Sequence, residues 1–305
     1  MTLDVVAIGE PMYELAQEAD GRFAPGFGGD TSNAVIAASR LGARAGYLTR
    51  LGTDVFGDAL MALWQREGIN ARHVMRDSAA ATGVYLVTPS ERGHVFTYLR
   101  TGSAASRMKP GDFPRESFAD ARYILASGIS LAISTSAADT VLALLEDARK
   151  SGRTIAFDTN LRLKLWPIAR ARAMIDAVAC IAGIVKTSIE DAEALMGLTD
   201  PELIARRYLD MGARSVVVTL GRDGALAADA NTRLRLPAHK VEPVDATGAG
   251  DAFMGALLAE LSRGQLLGDA ARFANVAAAL STLGRGAVAS LPRRSDVAEA
   301  LHGAR

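Results

Sequence analysis

The chain has very little with which to build a disulfide or a zinc site. It carries one cysteine, Cys180, and four histidines spread along 305 residues. A single thiol excludes an intramolecular disulfide framework and fits a reducing compartment. Scattered histidines without a cysteine cluster argue against a dedicated zinc site. Cys180 sits in the apolar run Ala177–Val185 with no charge adjacent, which predicts a buried, unreactive thiol. Net charge is missing too, since 34 Lys plus Arg balance 34 Asp plus Glu. The summed charge gives no attraction for nucleic acid or an anionic membrane. No apolar stretch reaches the roughly 20 residues that span a bilayer. No basic segment or cleavage site precedes the first apolar run, Val5–Ile8. These absences lead us to expect a soluble cytoplasmic protein with no nucleic-acid and no membrane partner.

What is present suits a folded enzyme-sized core, with 49% hydrophobic and 22% charged residues. The length allows one large α/β unit or two smaller domains. Without a repeat, a low-complexity tract or a linker, we expect one domain over residues 1–305. Short β-branched runs read as buried strands at Val5–Ile8, Ala45–Thr49, Tyr123–Ala126, Thr154–Asp158, Ile184–Thr187 and Ser215–Thr219. Helical patterns lie between or after them at Ser32–Leu41, Phe56–Glu67, Ser136–Ser151, Ile168–Cys180, Ile189–Leu195 and Pro201–Met211. That alternation predicts a mainly parallel sheet covered on both faces, with ligands outside the carboxyl ends of its strands. Two segments break the rhythm. Residues 11–27 are short and Gly/Pro-punctuated, and Thr82–Val87 with His94–Arg100 flank the turn-rich 88–93 like a hairpin. Together they suggest a small β-layer over a site, or else an edge hairpin on the main sheet.

The most chemically loaded stretch is Asp245-Ala-Thr-Gly-Ala-Gly-Asp251, followed directly by a helical pattern. Phe253, Leu257 and Leu261 recur at i, i+4 and i+8, the stripe of an amphipathic helix. A helix N-terminus offers unpaired N–H groups and a partial positive charge, and so binds anions such as phosphate. Gly248 and Gly250 let backbone approach such an anion, and Asp251 in the first turn can accept a proton from an attacking hydroxyl. A plain glycine-rich N-cap explains the same seven residues equally well.

A second glycine motif, Gly28-Gly29-Asp30-Thr31-Ser32-Asn33-Ala34, opens an earlier helix. Paired with Asp245–Asp251, it resembles the two signatures of the ribokinase-like (PfkB) carbohydrate kinases. The likeness runs from Ala7-Ile8-Gly9-Glu10 to Gly286-Ala287 and Pro292. It implies a three-layer α/β/α ribokinase-like fold with a small β-sheet lid from segments 11–27 and 82–101. It also implies phosphorylation of a sugar-like hydroxyl by ATP with Mg²⁺, a monovalent cation as a further cofactor, and a homo-oligomer formed through the lid. By the same resemblance Asp251 is the catalytic base, and the amides of Gly248, Ala249 and Gly250 are the anion hole. Thr219, Gly221 and Gly224 match the nucleotide loop, and Asn275 matches the adenine pocket. Ser188 and Asp191 stand where the family has its Asn-x-x-Glu element, which makes Asp191 the candidate for Mg²⁺.

Within the family the likeness is strongest to 2-keto-3-deoxygluconate kinases. It rests on Gly28–Thr31, on Tyr98-Leu99-Arg100 with Gly102–Ser106, on Ser127–Ile133, and on Phe157–Arg162 with Leu165-Trp166. The resemblance makes Gly28, Gly29, Asp30, Asn33, Tyr85, Tyr98, Arg100 and Arg162 the substrate-binding set. The chemistry is consistent, because arginine meets a carboxylate through a two-pronged hydrogen bond. Leu161 replaces the tyrosine common in those kinases, and Leu163-Lys164 replaces an Arg-Pro type pair, which leaves room for a related sugar acid. Competing expectations are a fructose- or ribose-type kinase, or a non-catalytic sugar sensor on this fold. A nicotinamide-dependent oxidoreductase is disfavoured, because Gly9-Glu10-Pro11 stands where its Gly-x-Gly-x-x-Gly turn is needed.

Overall fold

The computed structural model describes residues 2–90 and 93–303. Strands begin with β1 (Val5–Ile8), β2 (Met12–Gln17), β3 (Phe23–Gly28), β4 (Ala45–Leu48), β5 (Arg50–Gly52), β6 (Met75–Asp77) and β7 (Val84–Ser90). They continue with β8 (Gly93–Leu99), β9 (Tyr123–Ser127), β10 (Thr154–Asp158), β11 (Ile184–Ser188), β12 (Ser215–Thr219), β13 (Ala225–Asp229) and β14 (Arg233–Leu236). The helices are α1 (Asp30–Arg40), α2 (Val55–Arg66), α3 (Gly128–Ala132), α4 (Thr135–Lys150) and α5 (Ile168–Ala179). After them come α6 (Ile189–Met196), α7 (Pro201–Asp210), α8 (Ala249–Ser262), α9 (Leu267–Ser281) and α10 (Arg294–Gly303).

The main sheet has eight strands in the order β14-β13-β12-β11-β10-β9-β1-β4. From β4 to β12 all neighbours are parallel; β13 and β14 add an antiparallel edge. Why three layers form is visible inside β1 itself. Its side chains alternate faces, so Val5 and Ala7 join a core with α1, α8 and α9, whereas Val6 and Ile8 join another with α4, α5 and α7. Both faces of a parallel strand are therefore apolar, as its continuous hydrophobic run requires. β13, β14, α9 and α10 are additions to the elements expected from periodicity.

Two expectations need correction. α8 faces a core as expected but is not amphipathic, because every residue from Ala252 to Glu260 is buried. It lies between α1 and α9, and a helix enclosed on all sides is apolar all round. Gly255 permits that packing, since a Cβ there would lie 2.2 Å from the Ala34 carbonyl oxygen. Cys180 is exposed rather than buried. It caps the C-terminus of α5, whose inward positions are Ala171, Ile175 and Val178, and the helical period turns position 180 outward.

A second sheet, in the order β3-β2-β7-β8, is built from the two segments that break the sequence rhythm. β2 pairs parallel with β7 and antiparallel with β3, and β7 forms a hairpin with β8. Glu91 and Arg92 of the expected turn lie outside the described residues. All of β8 is exposed, with Leu99 at 62%.

Candidate active site

The site gathers at the carboxyl ends of β10, β11 and β12, where the N-terminus of α8 meets them. Gly248, with φ at 80°, bends the chain into α8, and Asp251 falls in its first turn. Glycine adopts that left-handed conformation without a side-chain penalty. Among the described residues the Ala249 amide is already engaged with the Ala246 carbonyl at 3.2 Å, so it is less available than expected. The amides of Gly250 and Asp251 have no backbone partner among the described residues, and they lie at the positive end of the helix.

Asp251 is half-buried, and the cavity described below is lined by its neighbours Ala249 and Gly250 rather than by Asp251 itself. Asn33 Nδ2 donates to its Oδ2 at 2.9 Å, which joins α1 to α8 across the site. Burial, reinforced by the charge of Asp30, pushes the Asp251 carboxyl up to about 8; Asn33 and Lys186 pull the other way. Asp30 is itself held by Asn160 Nδ2 at 2.8 Å. Asn160 carries a positive φ of 30°, a conformation few non-glycine residues adopt and one that concentrates at functional sites. Below them Lys186 Nζ donates to Asp158 Oδ2 at 2.7 Å, both side chains being buried.

A cavity of ≈ 1080 Å³ opens from this floor along β11 and β12. Its walls include Ser188, Thr219, Gly221, Gly224, Ala249 and Gly250, with Asn275 farther along. At Gly224, φ is 95° and a Cβ would lie 2.0 Å from the Leu236 carbonyl oxygen, so the loop demands glycine. Asn275 Nδ2 is tied to the Pro237 carbonyl at 2.8 Å. Ser188 accepts from the Asp191 amide at 3.1 Å and caps α6. Asp191 Oδ2 accepts from Thr159 Oγ1 at 2.7 Å and from the Leu161 amide at 3.0 Å. One oxygen of Asp191 is thus spent on fixing the 159–161 loop. The described residues hold no cluster of three or more His, Cys, Asp or Glu able to cage a metal.

The remaining expected residues belong to the small sheet and its seam with α1. Gly28 faces the Tyr85 ring, and a Cβ there would lie 2.5 Å from the Tyr85 hydroxyl oxygen. Gly29, with φ at 104°, presses against the Glu10 carbonyl and caps α1. Tyr85 donates to buried Glu14 and stands near Tyr98, ring centroids 5.8 Å apart. Arg100 pairs with fully buried Glu10 and lies over the Tyr98 ring at 6.0 Å. The structure therefore separates the two candidate arginines. Arg162 is exposed and lines the cavity. Tyr85, Tyr98 and Arg100 do not line it, and the charge of Arg100 is already matched by Glu10.

Glu14, Asp158 and Lys186 escape sequence reasoning. A signal for the last pair does exist: Lys186 interrupts the apolar run of β11, and a buried ammonium requires a partner. Asp158 is its register mate on β10.

The profile described as "pfkB family carbohydrate kinase" matches residues 2–294. A 2-dehydro-3-deoxygluconokinase of Bacillus subtilis (strain 168) is 32% identical over 99% of this chain and 96% of its own length. The enzyme of the same description from Thermoproteus tenax is 34% identical over 98% and 94%. A crystal structure of fructokinase from Vibrio cholerae O395, in its fructose, ADP and calcium ion bound form, superposes with a TM-score of 0.89. That protein is 29% identical over 98% of this chain and 99% of its own.

Proposed function

Since this chain belongs to the pfkB family of carbohydrate kinases, we propose that it phosphorylates the terminal hydroxyl of 2-keto-3-deoxygluconate with MgATP. The product is 2-keto-3-deoxy-6-phosphogluconate. The observation that carries this reading is the position of Asp251. Its carboxylate lies one residue beyond the Gly250 amide, which has no backbone partner among the described residues, at the N-terminus of a helix whose Ala249, Gly250 and Phe253 line a cavity large enough for a nucleotide. Asp251 takes the proton of the attacking hydroxyl while the amides hold the charge that spreads over the transferring phosphoryl oxygens. Thr219, Gly221, Gly224 and Asn275 accommodate the nucleotide.

Asp191 and Asp158 each have an oxygen already occupied, which fits a water-rich Mg²⁺ arriving with ATP better than an all-protein cage. When bound, that ion neutralises phosphate charge. The small sheet acts as a lid that excludes water and limits wasteful ATP hydrolysis. Its exposed Val95 and Leu99 also supply an apolar face for a second copy of the chain. Light scattering on a Val95→Ser/Leu99→Ser variant, compared with the parent, checks that assembly.

Sugar-acid preference is supported by the two relatives named above and by Arg162 on the cavity wall. A neutral-sugar reading is favoured by one observation, the compensation of Arg100 by Glu10. Coupled ADP-release assays with 2-keto-3-deoxygluconate, its galacto epimer, fructose and ribose, at several KCl concentrations, separate the two. Turnover with fructose or ribose alone would discard the sugar acid and keep the kinase. Silence on all four would return the chain to a sensor role.

A further inference from the structure

The described side chains offer one buried cation that no step above uses. Lys186 projects from the carboxyl end of β11, is only 4% exposed, and still contributes to the cavity floor. Its ammonium donates to Asp158 Oδ2 at 2.7 Å, and Asp158 is its one hydrogen-bond acceptor among the described residues. An ammonium has three hydrogens to donate, so two remain unspent in a place where desolvation makes them costly to leave idle. Their surroundings point to a use. A Cβ placed on Gly250 would lie 3.2 Å from Lys186 Nζ, so the ammonium sits directly against the residue whose amide opens the anion hole. Substituting any side chain for Gly250 would crowd that approach.

We propose that Lys186 is a catalytic residue of this kinase, contacting the γ-phosphoryl group of ATP alongside the Gly250 amide, with Asp158 as the positioning residue that aims its ammonium. The inference rests on the kinase reading and adds to it a fixed positive charge at the point of transfer. Negative charge spreads over the phosphoryl oxygens as the group moves, and a preorganised cation in a water-poor site stabilises that charge without reorganising. Asp158 meanwhile prevents the ammonium from being an uncompensated buried charge before nucleotide arrives.

The competing explanation is a purely structural ion pair between β10 and β11, and the two make opposite predictions for a double variant. Replacing a structural pair by neutral side chains of similar size restores what a single substitution loses. Calorimetric titration of MgADP and of the Mg²⁺ complex of β,γ-imido-ATP, together with kcat, is measured for the parent, Lys186→Met, Asp158→Asn and Asp158→Asn/Lys186→Met.

We expect the parent to bind the triphosphate analogue more tightly than MgADP. Both Lys186→Met proteins should lose that increment, keep MgADP affinity within about threefold, and turn over on the order of 100-fold more slowly. Asp158→Asn, which keeps the ammonium but loosens it, should lose about tenfold in kcat. A double variant that recovers parental turnover, or a Lys186→Met protein that still distinguishes triphosphate from diphosphate as the parent does, would overturn the assignment while leaving the kinase intact. A parent that binds neither nucleotide would overturn the kinase reading and Lys186 with it.

Discussion

Asp251 should impose a steep and unusually placed pH dependence on this enzyme. Its carboxyl is pushed from the ordinary 3.8 to about 8, first by burial and then by the neighbouring charge of Asp30. Only the ionised form can accept a proton, and kcat/KM reports the free enzyme. With a midpoint near 8, roughly 1% of Asp251 is ionised at pH 6 and about half at pH 8. The expected gain in kcat/KM over those two units is therefore about 50-fold, with a plateau above pH 9. The groups that set this value come from every side of the site: Asp30 and Asn33 on α1, Asp158 on β10 and Lys186 on β11.

Stability should move oppositely. The folded value lies above that of the unfolded chain, so between about pH 4 and about pH 8 the native state binds more protons. Its stability contribution is intact below that window and falls as pH rises through it. Asp251→Asn abolishes this loss, so the margin by which the variant's melting temperature exceeds the parent's should be far larger at pH 9.5 than at pH 5.5. Its kcat should fall by about 1000-fold or more. The assay is initial-rate ADP release from pH 5.5 to 9.5, paired with scanning calorimetry at the two extremes. A kcat/KM that is flat from pH 6 to 9, or a variant within tenfold of parental kcat, would refute the assignment of Asp251 as a buried base.

Arg100→Ala strands the buried Glu10 carboxylate and should destabilise the protein by about 3–5 kcal/mol in urea unfolding. Glu10→Gln/Arg100→Met should recover most of that loss. Arg162→Ala, at an exposed side chain whose hydrogen bond among the described residues is to the Leu161 carbonyl at 2.9 Å, should leave the melting temperature unchanged. It should raise KM at least tenfold for acid sugars and not for neutral ones; equal losses would remove Arg162 from carboxylate recognition. Gly255→Ala drives a methyl against the Ala34 carbonyl and the Ala37 methyl, 2.2 and 2.7 Å from an ideal Cβ. That overpacking should cost about 1–3 kcal/mol, read from the urea midpoint.

The family, the parallel sheet and the position of Asp251 were legible in the sequence because each has a local signature. Four buried residues in a row at Val5–Ile8 specify a strand covered on both faces, and glycines flanking an aspartate specify a helix start that an anion can approach. Cys180 shows where local reading stops: an apolar neighbourhood in sequence becomes an exposed cap once the helical period is imposed.

Tertiary structure alone decided the charge pairing. Arg100 meets Glu10 far away in sequence, Tyr85 meets Glu14 across the small sheet, and Lys186 meets Asp158 through strand register. It also divided the two arginines that sequence placed in one role, leaving Arg162 on the cavity wall and Arg100 paired with Glu10 just past the end of β8. The physical reason is range. Backbone conformation and hydrophobic period are set by residues a few positions apart, whereas the partner of a buried charge is whichever group the folded chain brings within a few ångströms.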